Sequence, residues 1–247
     1  MASKNKEKAN TIEKSPLGNL ANTSVLLEMS KVAPNKRNAA WQTKFVEHLA
    51  KASLKPSEPQ VVTGPDGFPY FNLEIPRPGE NFQSYCIEEM IDEFLLENGF
   101  GVVINASYGE PDWILSFGDL INYSISKSFY SYQSMFNTHQ DEEGSIAEEE
   151  EVTIGFPPND ILPQSLRYAL REFFKANGLK QTVKVLLMGR KSNGNMVYDL
   201  VFNLTPAMFP NLDTFRAITQ AMAFFLPRHY SFISIDEKAI ENGFQNL

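Results

Sequence analysis

The side chains most able to do chemistry are few and far apart. The three histidines, His48, His139 and His229, stand about 90 positions from one another and make no ligand spacing of the His-x-x-x-His kind. Solvated or internally satisfied imidazoles are the expectation, rather than a metal centre or the base of a catalytic triad. The single cysteine, Cys86, cannot close an internal disulfide. It falls in a helix expected over Phe82–Asn98, where a buried structural thiol is expected instead of a nucleophile. No Gly-x-Ser-x-Gly elbow holds a serine. "GFGVVI" (99–104) enters a strand where a dinucleotide fingerprint would leave one. "GRKSNGN" (189–195) lacks the Walker pattern, and its Asn193-Gly194 is a hairpin cue. These residues therefore predict no catalytic, cofactor-binding or metal-binding set, and no cofactor.

Two further groups could form a site. Asp112, Trp113 and Asp119 flank a strand that has no counterpart elsewhere in the chain, and they are the candidate polar lining of a pocket between two halves. The aromatic cluster after it offers a candidate interaction surface in Tyr123, Phe129, Tyr130 and Tyr132. Tyrosine gives large amphipathic area at low entropic cost and is enriched at interfaces. Strand-like alternation through "SISKSFYSY" would put Ile125, Lys127 and Phe129 on one face, with Tyr130 and Tyr132 on the other. A tyrosine-decorated edge strand is the plainer reading of the same residues.

Charge narrows the partners. The net charge is −8, yet "DEEGSIAEEEE" (141–151) holds seven acids and no base, so the rest of the chain stands at only −1. Its carboxylates lack the spacing of a calcium loop, and a solvated loop is expected, with a docking strip for a basic partner or weak cation binding as the alternatives. No basic patch interleaves with the aromatic rings, which argues against nucleic acid. The chain opens without an apolar leader, and its apolar runs are far shorter than the roughly 20 residues that span a bilayer. A soluble, reducing, cytoplasmic setting with no membrane contact follows as the expectation.

The elements that would position these residues fall into a repeated order. Residues 1–37 read as a mobile tail in which only "SVLLEMSKV" (24–32) could dock as a short helix. Asn38 should cap a helix through Trp41, Phe45, Leu49 and Ala52, ended by Pro56 and Pro59. A strand, a turn at Gly64–Gly67 and a strand over Tyr70–Ile75 come next. A helix over Phe82–Asn98 and a strand over "GVVINA" (101–106) follow, then a strand at Trp113–Phe117 and a short helix capped by Asp119.

Beyond the acidic stretch the order recurs. A helix has Pro163 in its first turn, strands cover 182–189 and 196–204, a helix fills Asp213–Leu226, and a last strand covers 230–235. Both helices that end in Asn-Gly-apolar, at 98–100 and 177–179, carry the same stop signal. Phe71-Asn72-Leu73 and Phe202-Asn203-Leu204 sit at matched places. The reading is an α+β fold of two similar αββαβ units with mixed or antiparallel sheets covered by helices. The divisions expected are 1–37, 38–136, 137–158 as an acidic linker, and 159–247.

At "DGFPYFNLEI", followed by a helix and "GFGVVINA", the chain resembles the N-terminal domain of the SseB-like (enhanced serine sensitivity B) bacterial family. Asp66, Gly67, Pro69, Tyr70 and Phe71 carry the likeness, and the helix at 163–177 with its hairpin, helix and "FISI" is similar in order to that family's C-terminal region. Asn72 departs from the small hydroxyl residue expected there. The resemblance implies a cytoplasmic, non-enzymatic, interaction-mediating bacterial protein, and no catalytic residues. With the residue-level reading it points to a protein-binding or scaffold module, with a protein partner or self-association through open sheet edges. The competing expectation is a small-ligand protein or enzyme with its pocket near Asp112–Asp119.

Overall fold

The computed structural model describes residues 17–131, 134–136, 152–192, 195–240 and 242–247. Contacts divide the chain into two compact units, one formed by the chain up to Pro56 with Glu74–Glu89, the other by Ser57–Leu73 with Met90–Leu247. The expectations for His139, Tyr132, the acidic run 141–151 and the Asn193-Gly194 turn lie outside the described residues.

In the first unit, the docking patch expected at 24–32 is a full helix, α1 (Leu20–Ser30), capped by Asn19, whose side chain accepts from the Ala21 N–H. It packs on α2 (Ala39–Leu49), which Asn38 caps as its sequence predicts. Leu26, Phe45, Leu49 and Leu54 are fully buried. The Trp41 indole stacks on Phe45 at 4.7 Å and donates to the Met29 carbonyl, which ties the two helices together. A groove of about 450 Å³ runs along them, lined by Ser24, Val25, Glu28, Met29, Val32 and Lys44. Cys86 is buried, its Sγ 3.4 Å from the Ala50 carbonyl, and burial pushes its thiol pKa up.

The fold is α+β, with two mixed sheets. The first runs β1 (Lys55–Thr63), β2 (Pro69–Glu74), β3 (Gly101–Ile104), β4 (Trp113–Leu115). A turn of only five residues joins β1 to β2, too short for a parallel crossover, so they form a hairpin. The Gly67 N–H closes that turn on the Gly64 carbonyl at 3.0 Å. β2 then pairs parallel to β3, Leu73 opposite Ile104, after a helical crossover, and β4 returns antiparallel. β1 begins earlier than expected, because it absorbs Pro56 and Pro59. A strand at a sheet edge tolerates proline, which removes no interior ladder bond there.

The second sheet runs β5 (Val152–Gly155), β6 (Lys184–Ser192), β7 (Asn195–Phe202), β8 (Phe232–Ser234), with β9 (Gln245–Asn246) pairing the start of β6. β6 and β7 form an antiparallel hairpin up to Ser192↔Asn195. β7 and β8 are parallel, with Val201 opposite Ile233. β5 is a strand inside the span expected as an acidic linker, 137–158. Helices α5 (Gln164–Ala176) and α6 (Leu212–Ala221) complete this half.

The order helix-strand-strand-helix-strand thus occurs twice, as α2-β1-β2-α3-β3, with α3 at Ile87–Met90, and as α5-β6-β7-α6-β8. The crossover helix of the first set departs from its sequence reading. It starts at α3 (Ile87–Met90) instead of Phe82, because Tyr85 is held extended by a two-way backbone bridge to Leu54 (2.7 and 2.8 Å). It then widens to a π-turn over Ile91–Leu95, with the Leu96 N–H bonded to the Ile91 carbonyl. The two stop signals are realised alike. Gly99 (φ 71) and Gly178 (φ 80) take the left-handed conformation, and Phe100 and Leu179 donate back five residues to Leu95 and Phe174.

Candidate functional site

Helix α4 (Phe117–Ser126) follows β4 directly. Its N-cap is Ser116, not Asp119. The Ser116 hydroxyl accepts from the Asp119 N–H and the Asp119 carboxylate accepts from the Ser116 N–H, a reciprocal capping box. The Ser-x-x-Asp spacing was there to be read. Placing Asp119 at the third helical position, not the cap, sends its side chain inward, where it is fully buried.

A buried carboxylate needs compensation, and Arg228 supplies it from 109 residues away. The Arg228 Nε and Nη2 donate to Oδ1 and Oδ2 at 2.9 and 2.8 Å, a side-on fork. Burial alone would lower the Arg228 pKa, but the hydrogen bonds and charge of Asp119 outweigh it and raise it. Gly118 makes the approach possible. A Cβ there would stand 2.1 Å from the Leu226 carbonyl oxygen, so the Leu226–Pro227 backbone lies directly on this glycine and sets Arg228 beside Asp119.

The guanidinium rests on the Tyr130 ring, 4.7 Å from its centroid. The Trp113 indole N–H donates to the Tyr130 hydroxyl at 3.0 Å. Trp113 and Asp119 of the expected pocket are therefore joined into one cluster by Tyr130 and Arg228. Asp112 accepts a hydrogen bond from Asn105 Nδ2 at 2.6 Å. Of the expected surface, Tyr130 is half-exposed and part of this cluster. Tyr123 and Phe129 are a correction: they are 5% and 2% exposed and pack on each other at 4.6 Å. The strand alternation assumed for 124–132 does not apply, because α4 continues to Ser126 and turns its apolar face, Tyr123 included, into the core.

Beneath the cluster, Phe68, Phe117, Phe173, Phe224 and Phe225 interlock, with Phe68 stacked on Phe224 at 4.0 Å and Phe225 edge-on to Phe68 at 5.3 Å. Tyr70 joins Phe224 edge-on, and its hydroxyl donates to Asp66. Burial, then that hydrogen bond, raises the Tyr70 pKa. Burial lowers that of His229.

Chemically, the arrangement pairs a fully buried carboxylate with a guanidinium whose side chain is largely exposed. The Asp119 oxygens accept three N–H groups and meet no solvent, so they are out of reach of any substrate proton. Among the described residues no three His, Cys, Asp or Glu side chains gather as a metal site. Among them, too, no helix is long and apolar enough to cross a membrane. Sequence reading missed Arg228 because nothing local marks it, and missed Gly118 because its role is a contact with a distant backbone. Comparison with protein-family models, curated proteins and solved structures finds no match.

Proposed function

We propose that this chain is a non-catalytic protein-binding or scaffold module that pairs strands at β5, with a second copy of itself as the partner. The observation that carries this is the character of β5. All four of its residues are exposed, none is charged or proline, and Val152 and Ile154 stand open on one face. The other described edges are blunted: β1 carries Pro56, Glu58 and Pro59, and β4, β8 and β9 are two or three residues long.

With Thr153 on a two-fold axis, antiparallel pairing would set Val152 of one copy opposite Ile154 of the other. The apolar face built by Leu186, Met188 and Val201 would then continue across the join. The exit of β5 is rigidly held. Arg167, 2% exposed, donates to the Pro157 and Leu162 carbonyls and lies 4.3 Å over Phe156. The resemblance to the SseB-like family favours the same reading and a cytoplasmic bacterial setting. Duplication of one unit would account for the shared strand order. A superposition of residues 55–104 on 184–234 that traces different paths would exclude it.

Light scattering over a wide concentration range tests the proposal. Mass should rise toward a dimer, and Ile154→Lys, which puts a charge on the exposed edge, should hold the protein monomeric. A wild-type chain that stays monomeric throughout removes the proposal.

A further inference from the structure

We infer that the outward edge of the Arg228 guanidinium is a binding site for an oxyanion, a carboxylate or a phosphate group. Arginine has five N–H donors in a rigid fork. Here Nε–H and one Nη2–H are committed to Asp119. The remaining donors, the second on Nη2 and both on Nη1, have no protein partner among the described residues, and the side chain is 60% exposed. The second Nη2–H and one Nη1–H form the end-on edge of the fork, whose geometry matches two oxygens of one anion.

Three features separate this arginine from a solvated one. Its inner edge is fixed by a carboxylate that is itself buried and locked into the start of α4. Its face is laid on Tyr130, and stacking leaves the edges of the plane open. Its backbone is pinned where Leu226 and Pro227 cross Gly118. The rotamer freedom that a free arginine would lose on binding is already gone, so each hydrogen bond to a ligand is made at lower entropic cost. Because Asp119 cancels the charge of the pair, attraction rests on directed donors and not on a net positive field. That predicts selectivity for bidentate oxyanions over a spherical anion of equal charge. Arg190 offers the contrast: its side chain is only 12% exposed beside Asp199, and it has no comparable outward edge.

The test is a solution titration of the full-length protein with inorganic phosphate and, separately, acetate, each against chloride at matched ionic strength. The readouts are the arginine side-chain N–H resonances and the Trp113 indole N–H, which reports on the ring beneath the guanidinium. A saturable shift of both with phosphate, acetate or both, absent with chloride, is the expected result, and the stronger arm names the source. Arg228→Lys keeps the charge but loses the fork, and should abolish saturation. Linear or absent shifts with both anions, or the same shifts with chloride, overturn the inference. This outcome depends only on the wild-type chain and is independent of the state of β5.

Discussion

The two sheets answer one topological problem with different chemistry. Each makes a hairpin and then receives a parallel strand after a helix, and each hairpin ends in Phe-Asn-Leu. In each, the asparagine is buried and its amide donates to a carbonyl on or next to the preceding strand: Asn72 to Pro59, Asn203 to Thr182. The Asn203 amide oxygen, however, also accepts from the Lys184 N–H at 2.8 Å, whereas Asn72 Oδ1 is buried and has no partner among the described residues. Each sheet also holds a lysine at the start of its hairpin against a glutamate, Lys55 with Glu80 and Lys184 with Glu237. They part at the edges. The first sheet is guarded by prolines and a charge, and the second ends in the bare strand β5. Shared connection therefore does not bring shared exposure, and where the halves differ is where a partner is expected.

The largest effect should come from breaking the joint that fixes Arg228. Gly118→Val forces the Leu226 backbone away, and overpacking of this kind costs about 3 kcal/mol or more where the neighbour is main chain. Urea unfolding should show that loss, together with loss of the Arg228–Asp119 resonance pattern. Wild-type stability would mean that the two segments do not touch as described.

Next in size is a direct contrast between the tripeptides. Asn203→Leu strips partners from the Lys184 N–H, the Thr182 carbonyl and the Glu237 carboxylate and should cost about 2 kcal/mol, because three partly buried hydrogen bonds are lost together. Asn72→Leu frees the Pro59 carbonyl and removes an oxygen that lacks a partner among the described residues, so it should cost less than about 1 kcal/mol. Equal losses in paired urea melts would mean that the two asparagines do the same job.

The smallest effect is common to both sheets. Hydrogen bonding to Lys55 and to Lys184 lowers the pKa of Glu80 and Glu237 from the ordinary 4.5. A carboxylate depressed in the folded state stabilises above its unfolded value, and that stabilisation fades as pH falls through the folded one. Melting temperature should therefore drop on acidification below 4.5, less steeply in Glu237→Gln and in Glu80→Gln than in the wild type. Both carboxylates are partly exposed, so each change should be modest.

What the sequence made legible follows from the range of the forces involved. Caps and stops are local, and Asn38, Asn-Gly-Phe at 98–100 and Asn-Gly-Leu at 177–179 could be read directly. Strand pairs with a short turn or matched spacing were legible for the same reason. The start of α3 was not, because a backbone bridge from Leu54 overrides the helical preference of 82–86. β5 was hidden by its length and by the prolines after it, and only pairing with β6 makes it a strand. Of the site, Asp112, Trp113, Asp119 and Tyr130 could be named from their types. Arg228 could not, because a partner 109 residues away leaves no mark on its own neighbourhood. Tyr123 misled because it lies on the buried face of α4, and Phe129 because the helix ends at Ser126 and the turn after it, not a strand, packs Phe129 onto Tyr123.

Hydrogen exchange measured at low and high protein concentration bears most directly on the contrast between the guarded and the bare edge. The account predicts that the amides of Val152–Gly155 become protected as concentration rises, while those of 58–63 in β1 exchange at the same rate at both concentrations. Protection that does not change in β5, or that grows equally in β1, would contradict it.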